Sequence, residues 1–429
     1  MVQRPPSQVV KSKFVPRAPR ALEDTGLSLG FLADLALKIL YFEGYLSGYE
    51  LAERMRLPFA GVVDQVLEFL KREKLCEVKG AGGFAEAAYQ YAIADKGRLM
   101  AREALDRSQY AGPAPVTLDV YAEAVRQQPL GEVVVHQRTM RQALAHLVIN
   151  EETFAQLGPA VNSGRSIFLF GPPGNGKTAI AEAIGSMLLG NAIFIPYAVE
   201  VGGQIIKVFD NVNHMVVEPP PKEPSLDPRW VLIHRPVIVT GGELTLESLD
   251  LVYDTTNKYY EAPVQMKANG GMLLIDDFGR QQVRPRDLLN RWIVPLEKRV
   301  DYLTLHTGRK IEVPFDVLIV FATNLAPKDL VDEAFLRRIR HKIHIKDPSF
   351  EEYREIFRRV CRERGVPYDD RGLAYLLQKY YIKPKRPLRA CHPRDIVDQL
   401  CDIARYLNVP PALSPDLIDR AAKAYFVEL

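Results

Sequence analysis

The feature that most constrains this chain is the stretch Ser166–Gly185, SIFLFGPPGNGKTAIAEAIG, in which glycines and prolines separate two apolar runs. Ile167–Phe170 predicts a short buried strand, and Thr178–Leu189 predicts a helix. Between them lies the pattern G-x-x-x-x-G-K-T, which begins at Gly171. Its glycines have no side chains, so several backbone N–H groups of the loop can converge on one ligand. Such a loop is typical of a phosphate site, because the amides and the positive end of the helix dipole both favour an anion.

The side chains that follow the glycines indicate which phosphate compound the loop binds. Lys177 would place a point charge at β- and γ-phosphates, and the Thr178 hydroxyl would join the ligand shell of a Mg²⁺ ion. A Gly/Pro turn that only links a strand to a helix is the alternative, and it is disfavoured because both flanks match the strand–loop–helix context. The predicted nucleotide-binding residues are Gly171, Pro172, Pro173, Gly174, Asn175, Gly176, Lys177, Thr178 and Ala179.

Composition limits the setting of this site. A chain of 429 residues predicts about two or three domains, and a formal net charge of +3 shows no overall bias toward nucleic acid or membrane surfaces. The four cysteines, Cys76, Cys361, Cys391 and Cys401, form no C-x-x-C pair, which favours reduced thiols. The sequence contains no apolar run of membrane-span length and no signal-peptide core. We therefore expect a cytoplasmic protein without membrane insertion.

The first quarter of the chain predicts two units. Residues 1–25 mix prolines with lysines and arginines and predict a flexible basic tail, for which a solubilising role is favoured over contact with nucleic acid or an acidic partner. Residues 26–111 contain three helical patterns and a strand pair, which resembles a winged-helix domain. The third helix starts after Pro58 with apolar residues that offer few hydrogen bonds to bases. Residues 27–110 hold eleven Lys and Arg against twelve Asp and Glu, a net charge of −1, so docking of a protein is favoured and DNA binding stays the alternative.

An acidic pair supplies a second part of the predicted site. In GGMLLIDDFGR the apolar run Met272–Ile275 predicts a buried strand that ends in Asp276 and Asp277. Asp276 would hold Mg²⁺ through water, and Asp277, pointing the other way by strand alternation, would orient and polarise an attacking water. Two acids in a simple turn are the alternative, which the phosphate loop upstream disfavours.

Three weaker signals follow in chain order. The apolar strand in DVLIVFATN ends at Asn324, whose amide would contact the γ-phosphate or the attacking water. Arg337 and Arg338 precede a final short strand, and Arg394 follows Pro393 at a predicted helix start. A strand-end asparagine is often only a turn former, and an arginine pair is usually a solvated face. It is the order of the signals that carries the interpretation.

That order resembles the AAA+ ATPase superfamily over roughly Leu130–Leu429. The resemblance implies ATP and Mg²⁺ as cofactors and Mg²⁺-dependent ATP hydrolysis as the activity. It assigns the phosphate loop to Walker A, Asp276 and Asp277 to Walker B, and Asn324 to sensor 1. In such ATPases, hydrolysis requires assembly, so the resemblance also implies a homo-oligomer, with a hexameric ring expected from the family.

The arginines take their roles from the same resemblance. Arg337 and Arg338 resemble the arginine fingers of katanin-like members, which act on the nucleotide of a neighbouring subunit. Arg394, in HPRD, resembles the sensor 2 arginine in the SPR motif of MoxR-type ATPases. All three would therefore act in catalysis, together with Asp277 and Asn324.

The region around the acidic pair resembles the MoxR-type and enhancer-binding activator branches. Tyr302–Leu305 and Lys310–Val313 alternate as the hairpin before the sensor strand would, with a turn at Gly308. Asp277 departs from the glutamate usual in these families, and its shorter side chain predicts slower turnover. The range of about 211–269 is predicted to be a long insertion. The segment VEVGGQIIKVF lacks a standard aromatic pore loop, which argues against threading of a substrate through a central pore.

The predicted fold class is therefore α/β, with a P-loop AAA+ parallel-sheet module, a C-terminal helical lid and a preceding winged-helix domain. The predicted divisions are a tail over 1–25, the winged helix over 26–111, a linker over 112–128, the nucleotide module over 129–347 and the lid over 348–429. The predicted function is ATP-driven remodelling of a protein client by an oligomer. Two alternatives stay open: a DNA-directed ATPase or regulator that uses the winged helix, and a nucleotide switch that does not hydrolyse ATP.

Overall fold

The structure is a computed structural model and describes residues 10–11, 14–81, 86–219, 223, 225–326 and 337–426. These residues contain short 3₁₀ and π-helical turns. Their α-helices are α1 (Leu29–Glu43), α2 (Gly48–Met55), α3 (Asp64–Arg72), α4 (Asp95–Arg107), α5 (Leu118–Gln127), α6 (Gln137–Ala143), α7 (Glu151–Asn162), α8 (Lys177–Leu188), α9 (Val264–Lys267), α10 (Pro285–Lys298), α11 (Phe350–Arg364), α12 (Asp370–Leu377), α13 (His392–Tyr406) and α14 (Pro415–Tyr425).

The strands of the described residues are β1 (Val10–Lys11), β2 (Tyr45–Ser47), β3 (Cys76–Ala81), β4 (Tyr89–Ile93), β5 (Val116–Thr117), β6 (Ser166–Phe170), β7 (Asn191–Pro196), β8 (Ala198–Val201), β9 (Gln204–Lys207), β10 (Trp230–His234), β11 (Val237–Thr240), β12 (Val252–Asp254), β13 (Tyr259–Glu261), β14 (Met272–Ile275), β15 (Val300–Thr304), β16 (Lys310–Pro314), β17 (Leu318–Thr323) and β18 (His341–His344).

A parallel sheet forms the centre of the molecule. Within the described residues it has five strands in the order β11-β14-β17-β6-β18. Helices α6, α7 and α8 cover one face and α10 covers the other, so β14 and β17 are buried along their whole length. Burial on both faces explains why these strands are continuous apolar runs. The predicted α/β fold class is confirmed.

The strand order brings three predicted motifs to one edge of this sheet. Phe170 at the end of β6 pairs with Thr323 at the end of β17, and Ile275 at the end of β14 pairs with Phe321. All three strands are parallel, so the residues that follow them leave the sheet at the same side. Ligands of open α/β sheets bind at this carboxyl edge.

Further strands lie outside the central sheet. Among the described residues, β12, β13, β9, β8 and β5 form a mixed sheet, and β1, β7 and β10 form a smaller one. The hairpin predicted before the sensor strand is confirmed, because β15 and β16 pair in antiparallel register from Val300↔Pro314 to Thr304↔Lys310.

The range predicted as one insertion, about 211–269, needs correction. It contains β11, which pairs with β14 and forms an edge of the central sheet. The two sheets outside the central sheet also include β7, β8 and β9, which precede this range in the chain. The sequence pattern did not distinguish a strand of the central sheet from strands of the other sheets, because β11 is a short β-branched run like the strands around it.

Residues 26–111 fold into α1, α2 and α3, the sheet β2-β4-β3 and α4. The sequence predicted a strand pair, and β2 adds a third strand next to β4. The third helix starts later than expected, because Ala60 and Gly61 are not helical and α3 begins at Asp64. Val62 and Val63 are fully buried rather than exposed. The assignment as a winged helix stays a prediction.

The predicted flexible tail is wrong for residues 14–25. Phe14 packs against Phe194 and Trp230, with ring centroids 6.5 and 5.4 Å apart. The carbonyl oxygen of Arg20 lies only 2.2 Å from the position that a Cβ on Gly61 would take. The buried aromatic contact anchors this segment although its composition is that of a tail. Residues 1–9, 12 and 13 of the predicted tail lie outside the described residues.

The predicted linker over 112–128 is part of the folded body. It contains β5, which pairs with β8, and α5. Beside it the buried Arg229 makes an ion pair with Asp227 at 2.8 Å and donates to the carbonyl oxygens of Thr25 and Pro115. This guanidinium therefore ties the segment before α1, the predicted linker and the strand-rich region together.

The C-terminal region is helical, as expected for the predicted lid. Helices α11 to α14 pack around their own apolar cluster, which includes Tyr353, Phe357 and Leu400. Residues 427–429 of the predicted lid lie outside the described residues. In the part of the chain that the structure describes, the helices are too short or too polar to cross a lipid bilayer. The outer limits of the predicted domains stay predictions.

Candidate functional site

A cavity of about 460 Å³ opens at the carboxyl edge of the central sheet, between the phosphate loop and the helical lid. It is lined by most of the residues that the sequence assigned to the site, namely Pro173, Gly174, Asn175, Gly176, Lys177, Thr178, Ala179, Asp276, Asp277, Asn324 and Arg394. These residues are separated by more than two hundred positions in the chain. The strand order explains why they meet.

Lys177 is buried at the first position of α8. Its Nζ donates to Asn324 Oδ1 at 2.7 Å and to the carbonyl oxygens of Gly171 and Pro172 at 3.0 and 2.9 Å. Burial lowers the pKa of this ammonium, and the nearby Asp277 carboxylate opposes the shift. A cation is thus fixed where the loop amides and the helix dipole also favour an anion.

Thr178 and Asp276 form the part of the site that suits a divalent cation. The hydroxyl oxygen of Thr178 donates to the Asp276 carboxylate, whose two oxygens are each 3.0 Å away. Both are hard oxygen donors, which fit Mg²⁺. No group of three or more His, Cys, Asp or Glu residues in the described part of the chain could hold a metal ion. Mg²⁺ usually keeps several waters, so an ion at this pair would take its remaining ligands from water and phosphate oxygens.

Asp277 lies in a turn rather than on a strand. β14 ends at Ile275, and Asp277 has a φ of 47°, so turn geometry rather than the expected strand alternation separates the two carboxylates. The left-handed region is tolerated by Asp better than by most side chains. Asn324 Nδ2 donates to Asp277 Oδ1 at 3.3 Å. Asn324 therefore contacts both Lys177 and Asp277.

The three predicted arginines have different positions. Arg394 lies in the first turn of α13, at the predicted helix start, and lines the cavity. Arg337 is exposed, and Arg338 Nε donates to Glu297 Oε1 at 2.5 Å. Neither Arg337 nor Arg338 lines the cavity of its own chain. Only Arg394 of the three joins this site within one chain.

The sequence analysis missed the apolar side of the cavity. This side is lined by His146, Leu147, Val148, Ile149, Ile356 and Val360. The loop between α6 and α7 carries four of them, and Arg359 fixes it by donating to the carbonyl oxygens of Ala145 and Leu147. Asn150, which caps α7 by accepting from the Thr153 amide, was the available signal for a helix boundary here.

Comparison with known proteins gives one family model and several distant relatives. Residues 349–424 match a domain of unknown function, DUF8689, which covers most of the helical lid. Spastin from Anopheles gambiae is 22% identical over 246 residues, which is 57% of this chain and 24% of spastin. The matched region is thus about a quarter of the length of that relative.

Solved structures resemble the chain over a larger share. The Holliday junction branch migration motor RuvB from Thermotoga maritima has a TM-score of 0.38 at 14% identity, over 71% of this chain and 74% of RuvB. NtrX from Brucella abortus in complex with ADP has a TM-score of 0.39 at 14% identity, over 65% of this chain and 56% of NtrX.

The strand order and the positions of the motifs at the carboxyl edge define the fold. It is an α/β fold with a five-stranded parallel sheet and a phosphate loop at the carboxyl edge of that sheet. Membership of the AAA+ ATPases stays a prediction. The MoxR branch stays a prediction, as does the winged-helix assignment of the front unit.

Proposed function

We propose that this chain binds ATP with Mg²⁺ and hydrolyses it in an oligomer, and that it uses the energy to remodel a protein client. One observation carries the proposal: the Lys177 ammonium, the Thr178–Asp276 pair and the Asn324–Asp277 pair share one cavity at the carboxyl edge of the sheet. These groups are what transfer of a terminal phosphoryl group to water needs, namely neutralisation of charge, a cation site and a base-like carboxylate.

Each side chain then has a role in ATP binding or hydrolysis. Lys177 and the amides at the start of α8 would bind the β- and γ-phosphates, and Thr178 with Asp276 would hold the Mg²⁺ ion. When bound, Mg²⁺ supplies charge neutralisation at the phosphate oxygens. Asp277 would accept a proton from the attacking water, and Asn324 would keep that carboxylate and Lys177 in place through the contacts at 3.3 and 2.7 Å.

The apolar side of the cavity suits the base of the nucleotide. Ile149, Ile356 and Val360 line this side, on the loop before α7 and on α11 of the lid. A flat aromatic base would bury its faces against such side chains, which contributes affinity without hydrogen bonds. Because α11 belongs to the lid, base binding would also draw the lid toward the sheet.

The arginine pair supports a site shared between subunits. Arg337 is exposed and lies outside the cavity of its own chain, as does Arg338. Arginine fingers stabilise transition-state charge from a neighbouring molecule, so these side chains would complete the site of the next copy. A hexameric ring, as the AAA+ resemblance implies, would place them there.

The protein client is favoured over DNA by the front unit. In helix-turn-helix proteins the first residues of the recognition helix contact base edges. Here Val62 and Val63 before α3 are buried, and the backbone of Arg20 lies against Gly61. The DNA alternative predicts duplex binding that weakens by about tenfold or more when salt rises a few-fold, which gel-shift titrations at two salt concentrations measure. A cytoplasmic location remains part of the proposal.

A nucleotide switch without hydrolysis is the second candidate, and Asp277 favours it. The carboxylate is one methylene shorter than the glutamate of the resembled families, and its backbone turns away from the strand direction with a φ of 47°. A carboxylate that does not reach the attacking water would leave ATP bound and intact. Tight ATP binding without phosphate release would identify this case.

Equilibrium titration with Mg-ATP tests the proposed site. Lys177→Ala should abolish measurable binding, because the loop loses the buried charge that faces the β- and γ-phosphates. Lys79→Ala is the matched control, since Lys79 is exposed and pairs with Glu77 at 2.6 Å, far along the chain from the phosphate loop. Equal ATP affinity in the wild type and Lys177→Ala would overturn the assignment of the phosphate loop.

A further inference from the structure

The phosphate loop is bonded directly to the entrance of the lid. The carbonyl oxygen of Gly174 accepts from the Cys391 amide at 2.8 Å, and Asn175 Oδ1 accepts from the Ala390 amide at 3.1 Å. Asn175 Nδ2 donates to Asp347 Oδ1 at 2.7 Å. The buried side chain of Asn175 thus has both its acceptor and a donor satisfied by residues outside the loop.

Asp347 contributes the charge of this junction. It follows β18 and precedes α11, so it lies where the central sheet passes into the lid. The same Oδ1 that binds Asn175 also accepts from the Arg389 guanidinium. One carboxylate therefore bridges the phosphate loop and the segment that leads into α13. A charge-assisted bond of this kind is stronger than one between neutral groups.

The loop and the lid also meet at close range. A Cβ on Gly174 would lie 2.5 Å from Cys391 Sγ, and Gly174 has a φ of 78°. A residue with a side chain at this position would force the lid away from the loop. The glycine of the phosphate motif thus serves lid contact as well as phosphate access.

The junction determines where Arg394 lies. Ala390 and Cys391 bond to the phosphate loop, and α13 begins at the next residue, His392. Arg394 is in the first turn of that helix and lines the cavity. A shift of the junction would therefore move Arg394 relative to the phosphate loop.

We propose that Asp347 is a positioning residue that, with Asn175 and Arg389, holds the lid and Arg394 over the phosphate loop and thereby sets the affinity for ATP. The inference rests on the proposed function, because it concerns ATP at the same cavity. Asp347 acts through Asn175 and Arg389 and does not itself line the cavity. Arg394 would bring its charge to the phosphates of a bound nucleotide, so the effect should be larger for ATP, which carries one more phosphate than ADP.

A double-mutant cycle on ATP affinity tests this role. Asp347→Ala and Asn175→Ala should each raise the ATP Kd about tenfold, since each breaks the same bond and leaves a polar partner unsatisfied. The double variant should also bind about tenfold more weakly, rather than about a hundredfold, because groups in one network are not additive. Asp347→Asn, which keeps an acceptor for Asn175, should restore part of the affinity.

Asp370→Ala is the matched control. It removes an exposed lid carboxylate that pairs with Arg354 at 2.7 Å and accepts from the Tyr368 hydroxyl, and it should leave the ATP Kd unchanged. If Asp347→Ala does not fold, Arg389→Gln breaks the same bridge from the lid side and should weaken ATP more than ADP. Thermal unfolding of each variant checks that the fold is intact.

The outcomes separate this inference from the proposed function. Additive losses in the cycle, or equal loss of ATP and ADP, would overturn the positioning role while leaving ATP binding intact. Unchanged ATP affinity in folded Asp347→Ala and Arg389→Gln would do the same. A wild-type protein that binds no ATP would remove the proposed function and this inference together.

Discussion

The Nζ of Lys177 donates to Asn324 Oδ1 at 2.7 Å, which joins the start of α8 to the residue after β17. The contact exists because β6 and β17 are neighbours, with Phe170 opposite Thr323. The start of α8 and Asn324 are therefore joined directly, although 147 positions separate the two side chains. Asn324 also donates to Asp277, so a change at this amide affects both the cation and the carboxylate.

Asn324→Ala should lower the rate of phosphate release more than it weakens ATP binding. The substitution removes the amide that contacts Asp277, which under the proposed function acts in the transition state, and a loss of about a hundredfold in kcat is expected. Steady-state kinetics give kcat and KM separately. Asn211→Ala, at an exposed turn, is the control and should behave as the wild type. A rise in KM with unchanged kcat would assign Asn324 to ground-state binding instead.

Substitutions at Asp277 should separate an ATPase from a switch. Asp277→Asn should bind ATP and release no phosphate, because the amide cannot accept the proton of the attacking water. Asp277→Glu should raise turnover if the native side chain is too short, and should lower the free energy of unfolding by about 1 kcal/mol, since a φ of 47° suits Glu less well than Asp. Single-turnover phosphate release and chemical denaturation measure the two effects.

Equal phosphate release by Asp277→Asn and the wild type would exclude Asp277 from the reaction. Complete absence of release in the wild type, with tight ATP binding, would instead favour the non-hydrolysing switch.

Mixing two inactive variants should restore part of the activity. An Arg337→Ala/Arg338→Ala double variant keeps a complete cavity but lacks the arginines that would act on its neighbour. An Asp277→Asn variant keeps both arginines but lacks the carboxylate in its own cavity. Mixed oligomers contain some sites with an intact cavity and an intact arginine pair, so phosphate release should recover. The loss of the Arg338–Glu297 pair should cost about 0–1 kcal/mol, because Glu297 stays in contact with water.

Arg405→Ala, which removes an exposed lid arginine, is the control for the double variant and should retain full activity. No recovery at any mixing ratio, with both proteins oligomeric, would show that Arg337 and Arg338 do not act between subunits.

Arg229→Ala should destabilise the whole chain. The substitution leaves Asp227 buried without its cation and removes the donor to Thr25 and Pro115, so a loss of about 3–5 kcal/mol in the free energy of unfolding is expected. Denaturant titration measures it. Arg420→Ala breaks an exposed pair with Asp416 and should change stability by about 1 kcal/mol or less. Similar small losses in both variants would contradict the role of Arg229 as a tie between units.

The parts of the fold that the sequence predicted well are those set by local pattern. β14 was predicted with its bounds because a run of four apolar residues between glycines and acids has few alternatives. The phosphate loop was predicted for the same reason, since its glycines and lysine are consecutive in the chain. Asn324 and Arg394 were predicted only through their order relative to these motifs.

The parts that the sequence did not predict depend on contacts between distant residues. Phe14 anchors the predicted tail against Trp230, about two hundred positions away, and Arg229 bonds to Thr25 and Pro115, which are 204 and 114 positions away. None of these partners can be read from local composition. Asp347 and Asn175 are 172 positions apart, and their bond appears only once the lid is placed against the sheet. The apolar side of the cavity was missed because its residues lie in the loop before α7 and on the lid helix α11, which meet only in the folded chain.

Steady-state phosphate release by the wild-type protein, with Mg²⁺ or with a chelator, is the decisive measurement for ATP hydrolysis at this cavity. We expect release that requires Mg²⁺, rises more than linearly with protein concentration as the oligomer assembles, and disappears in Lys177→Ala while Lys79→Ala retains it. Release that persists at full rate in Lys177→Ala, or in the presence of the chelator, would contradict the claim that this cavity hydrolyses ATP.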